Sequence, residues 1–78
     1  MYEQTFSVKD MMSVYRLVQS LQQIDCDMDL MTDHRRSIVD AKSILGVCSL
    51  DLSRPLTLKA YTNDSRIVNQ LKAVLGEC

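Results

Sequence analysis

Proline occurs once in this chain, at Pro55, and glycine twice, at Gly46 and Gly76. No glycine-rich loop able to cradle a phosphate or a dinucleotide can be drawn from so few. Histidine also occurs once, at His34, and tryptophan not at all. The three cysteines, Cys26, Cys48 and Cys78, form no C-x-x-C pair. An odd count, with no secretory pattern in Met1-Tyr2-Glu3-Gln4, leads us to expect free thiols in a reducing cytoplasm. No apolar run approaches the roughly 20 residues needed to cross a bilayer, so no membrane partner is expected. The net charge of -1 argues against broad electrostatic binding to nucleic acid or anionic lipid. No nucleophile–base pair, purposeful carboxylate pair or cofactor motif is visible, so the expectation is a non-enzyme with no cofactor and no metal. Asp25, Asp27 and Asp29 alternate on one strand face, but without the glycine and distal glutamate of a calcium loop they read as a solvated face.

What is present is periodic. The 78 residues suit one domain, 1–78, with a thin core. Tyr2 to Val8 alternates as a strand with Phe6 and Val8 on one face. Asp10 or Ser13 can cap a helix whose stripe is Val14, Leu17, Val18, Leu21 and Ile24. Cys26, Met28 and Leu30 mark a second strand, with Cys26 expected in the core, and Ser37 to Ala41 a short third. A short helix runs from Ser43 to near Asp51, Leu56 to Tyr61 is a fourth strand, and Asn63 or Asp64 caps a last helix. That helix carries Ile67, Val68, Leu71, Val74 and Leu75 on one face, and Gly76 is placed as its C-terminal cap. The order is β-α-β-β-α-β-α. Because each helix has one apolar face, the expected class is α+β: a two-layer open-faced sandwich, with a four-stranded antiparallel sheet and three helices on one face.

The segment Lys42-Ser43-Ile44-Leu45-Gly46-Val47-Cys48-Ser49-Leu50 is the most informative. With this element order, and with Thr5-Phe6-Ser7-Val8 and Asp25 to Leu30, it resembles HPr, the phosphocarrier of the bacterial sugar phosphotransferase system. The resemblance spans nearly the whole chain and implies the HPr-like fold. It also implies that Ser43 is the counterpart of the serine modified by HPr kinase. Ile44, Leu45 and Cys48 would then belong to a patch that meets enzyme and transcription-factor partners. The chain departs from the family at its first helix. A Gly-x-His-x-Arg-Pro segment is replaced by Lys9-Asp10-Met11-Met12-Ser13-Val14-Tyr15-Arg16, several residues shorter and without the phosphoacceptor imidazole. Arg16 is a possible match to the family arginine.

Ser43 has two compatible roles: N-cap of the short helix, and acceptor of a phosphate beside Lys42. Val47 and Leu50 are expected to face the core, leaving Leu45 and Cys48 partly exposed. Met11 and Met12 are a flexible contact pair or, by preference, a cover for the core where the family's longer loop sits. His34, in the turn 32–36, is a solvated turn residue or a relocated phosphoacceptor or metal ligand. Arg35-Arg36 is a solvated pair or an anion contact, and Cys78 an incidental thiol.

The leading expectation is a non-catalytic regulatory module. It would bind proteins through Lys42, Ser43, Ile44, Leu45, Cys48 and Arg16, with HPr kinase or a transcription regulator as candidate partners. It resembles the catabolite-repression variants that keep the serine and lack the histidine. The alternatives are a phosphocarrier with an atypical acceptor, and a structural domain that self-associates through the edge of the third strand, Ser37 to Ala41, as a weak homodimer.

Overall fold

Strand periodicity and helix stripes converge on one sheet face. The structure is a computed structural model that describes residues 1–32 and 37–77. Its elements are β1 (Tyr2–Phe6), α1 (Met11–Gln22), β2 (Met28–Met31), β3 (Ile38–Asp40), α2 (Ile44–Cys48), β4 (Leu56–Ala60) and α3 (Ser65–Gly76). The sheet order is β1-β4-β2-β3, with every neighbouring pair antiparallel. Phe6, Met28, Leu30, Leu56, Leu58 and Ala60 point to one face and form a single core with Val14, Leu17, Val18 and Leu21 of α1, Val47 of α2, and Leu71 and Leu75 of α3. The expected open-faced α+β sandwich is therefore observed.

The other face follows the pleat. Register places Glu3, Lys59, Asp29 and Asp40 in one row, and Thr5, Thr57, Met31 and Ile38 in the next. Asp29 and Asp40 lie directly opposite, a like-charge pairing that costs stability on its own. Lys59 on the other side of Asp29 offsets it, and the Tyr61 hydroxyl donates to Asp29 Oδ2 at 2.7 Å.

Several boundaries differ from the sequence reading. β1 stops at Phe6, because its partner strand begins at Leu56, directly after Pro55, which has no N–H to donate. β2 starts at Met28; Cys26 precedes it in a tight turn, its N–H on the Ile24 carbonyl at 3.0 Å, and is half-buried against the core instead of inside it. α2 ends at Cys48, three residues early. Gly76 is the last residue of α3 and not its cap. The helix closes in a tightened turn, with the Glu77 N–H on the Val74 carbonyl at 3.2 Å, so no left-handed residue is needed.

Met11 and Met12 do not cover the core; they are 51% and 60% exposed. Met12 falls outside the stripe of Val14, Leu17, Val18 and Leu21, whereas Met11, three residues before Val14, falls at its edge but in the first turn of α1, at the end of the core. Val8 and Leu52 pack against that end of the core instead.

Leu58 is fully buried on a strand paired on both sides. Leu58→Ala should cost about 3–5 kcal/mol, against about 4–12 kcal/mol for a domain of this size. Ile38→Ala, on the open face, should stay within about 0.5 kcal/mol. Urea unfolding monitored by circular dichroism measures both.

Candidate functional site

Ser43 is built from the turn before it. Asp40 Oδ1 accepts the Lys42 N–H at 2.9 Å, and the Asp40 carbonyl accepts the Ser43 N–H at 3.0 Å. This holds Ser43 in an extended conformation (φ -101°, ψ 109°) with its Oγ over the first turn of α2. Oγ accepts the Gly46 N–H at 3.3 Å, the N-cap role the sequence suggested. Gly46 makes the arrangement possible. A Cβ there would lie 3.3 Å from Val39 Cβ and 3.4 Å from Ser43 Oγ, so only a hydrogen lets α2 close on β3 and on its own cap. Ser43 is half-buried.

Five residues cannot hide apolar side chains all round. Val47 is in the core, joined by Leu50 just past the helix, and Ile44 is half-buried against it. Leu45 is 83% exposed and Cys48 is exposed. The expected inward pair and outward pair are thus both observed.

Lys42 is not a loose surface charge. Its Nζ donates to the Ile24 carbonyl at 2.6 Å, just beyond the C-terminal end of α1, and its own carbonyl accepts Gln22 Nε2 at 2.9 Å. An ammonium on a carbonyl at that end also opposes the negative pole of the helix dipole. The residue before Ser43 therefore fastens α2 to α1. Burial pushes the neighbouring Cys26 thiol above its usual range, only partly countered by the Lys42 ammonium.

The Gln22–Lys42 bond shows which flank of α1 faces α2. Met11 and Tyr15 fall on the same flank as Gln22 by helical spacing, and both are exposed. Met11 also lines a groove of about 220 Å³ with Val8, Lys9, Asp10, Val14 and Leu52, where the start of α1 meets the loop after α2. Arg16 lies on the opposite flank, in a groove of about 150 Å³ with Ser13, Ser20 and α3 residues Val74 and Glu77. The structure thus brings together Lys42, Ser43, Ile44, Leu45 and Cys48 and separates Arg16 from them. Tyr15 was missed as a surface residue, although its i+4 spacing from Met11 could have signalled it. The Lys42 contacts had no local signal, since their partners lie 18 and 20 residues away. His34, Arg35, Arg36 and Cys78 lie outside the described residues.

The start of α1 carries its own anion. Asp10 Oδ1 accepts the Ser13 N–H at 2.8 Å, and that bond, with the Ser13 hydroxyl, holds the Asp10 carboxyl below its ordinary value. A second anion arriving at this helix end would meet a fixed carboxylate.

No protein-family model matches the sequence, and no curated protein matches it. Among solved structures, the crystal structure of HPr-C-His from Thermoanaerobacter tengcongensis superposes with a TM-score of 0.72 over 99% of this chain and 93% of that one. The two are 21% identical. The fold is therefore HPr-like, in agreement with the resemblance in the sequence.

Ser43→Ala should cost about 1 kcal/mol through loss of the cap, whereas Ser43→Asp, another good N-cap, should leave the melting temperature nearly unchanged. Asp10, Asp51 and Asp64 are all held below the ordinary carboxylate value by hydrogen bonds to Ser13, Ser53 and Arg66 respectively. Their stabilisation is complete above about pH 4 and is lost as pH falls below it. The double variant Asp10→Asn/Asp64→Asn keeps cap acceptors that do not titrate. Its melting temperature should fall less steeply between about pH 5 and about pH 2 than that of the wild type.

Proposed function

We propose that this chain is a non-catalytic, HPr-like protein-binding module whose docking face is α2 together with the adjoining flank of α1. One observation carries the reading: Leu45 stands almost fully in solvent beside Cys48, on the helix capped by Ser43, while Met11 and Tyr15 are exposed on the adjoining flank of α1. Large apolar side chains gathered on one side of so small a domain suit a protein interface with an apolar centre. Ile44 supports the face from half-buried depth, and Lys42 acts by holding α2 in place. Arg16, on the far flank, is a peripheral contact at most.

The fold likeness supports a relationship to phosphocarriers. Two features favour a binding role over phosphoryl relay: residues 9–16 lack an imidazole, and Asp10 occupies the helix start. Ser43 is the regulatory position in this reading. Its hydroxyl is half-buried and held by one long bond, and a phosphate on it would place roughly two negative charges at the base of the apolar patch. HPr kinase and a transcription regulator of carbon catabolite control, in the cytoplasm, are the candidate partners that the resemblance suggests.

A pull-down with wild type, Ser43→Asp and Leu45→Asp tests the proposal. We expect Leu45→Asp to lose at least one partner that wild type retains, with unchanged melting temperature, and Ser43→Asp to alter the set. Identical partners for all three proteins would overturn the docking face.

A further inference from the structure

The chain between β3 and β4 is held unevenly. Ala41 is fully buried, with its N–H on the Met28 carbonyl at 3.1 Å, and Leu50 is buried at the far end. Between these anchors, residues 42–49 send one fully buried side chain, Val47, into the core; Ile44 is half-buried. Every other core side chain lies outside the segment.

The main-chain bonds of α2 stay within its own turn. The Val47 N–H bonds to the Ser43 carbonyl at 2.9 Å, the Ser49 N–H to the Gly46 carbonyl at 3.1 Å and the Leu50 N–H to the Val47 carbonyl at 3.1 Å. A helix of one turn is not stable on such bonds alone. Two bonds tie the segment to a distant element, and both go to the end of α1: Lys42 Nζ to the Ile24 carbonyl, and Gln22 Nε2 to the Lys42 carbonyl. The first has a charged donor, which makes it the stronger.

We propose that residues 42–49 open and close as one unit on a folded sheet, and that the Lys42 ammonium on the Ile24 carbonyl is the latch. In the open state the four strands, α1 and α3 keep their packing. Val47 leaves the core, the Ser43 hydroxyl loses the Gly46 N–H, and α2 stands free of α1. Closing orders one short segment and gains one buried valine and two tertiary bonds, terms of similar size and opposite sign. The open state is therefore reached well before the sheet comes apart. This equilibrium belongs to the segment itself and does not rest on α2 docking a partner.

Native-state amide exchange at rising urea tests the proposal. The Val47 amide should be less protected than the Lys59 amide of β4, a strand bonded on both sides. Low urea should leave Val47 exchange unchanged and accelerate exchange at Lys59, because local opening exposes little surface. Lys42→Met keeps the alkyl stem and removes the charged donor; it should speed Val47 exchange about tenfold or more. Gln22→Ala should speed it about threefold. Ile67→Ala, in α3, removes packing that both states share. It should lower protection at Lys59 and leave Val47 as it was. Equal urea dependence at Val47 and Lys59, a joint response of the two amides to Ile67→Ala, or Val47 exchange that Lys42→Met leaves unchanged would each overturn the proposal.

Discussion

The fold rests on β4. It is bonded on both sides, to β1 and β2, and its inward residues Leu56, Leu58 and Ala60 are fully buried beneath the helices. A chain this short buries only one face of one sheet, so one central strand must organise the whole core. The helices contribute stripes that are individually too small to be stable, and they gain order only by lying on that strand and its neighbours. Among the described residues no helix covers the opposite face, where charges and hydroxyls face one another across the strands beside Met31 and Ile38.

Within this frame the surface is organised by a single lysine. Lys42 joins the turn after β3, the end of α1 and the start of α2 through three separate atoms. The start of α2 is consequently held at a fixed spacing from the end of α1. Without that fastening α2 would be a single turn of helix with one buried valine of its own. The docking reading therefore depends on a residue whose charge is directed inward.

Much of this was legible in the sequence because it is periodic. The element order, the apolar stripes of α1 and α3 and the in–out split between Val47 and Leu45 follow from spacing alone. What was not legible depends on phase or on distant partners. Whether Met11 and Met12 fall in the first turn of α1 depends on which residue caps it, and the sequence offered both Asp10 and Ser13. Arg16 was grouped with Ser43 because both belong to the resemblance, yet the direction in which α2 docks, set by the contacts of Gln22 and Ile24 with Lys42, puts them on different flanks. The end of β1 depended on where Pro55 falls in the partner strand, which a reading of β1 alone does not include.

The carboxylate at the head of α1 also bears on what this end of the helix can accept. The Ser13 amide, one of the donors that an anion arriving there would meet, already serves Asp10, whose charge would repel such a group. Opening that end to an anion would require replacing Asp10, and the replacement would weaken the very helix whose start it closes.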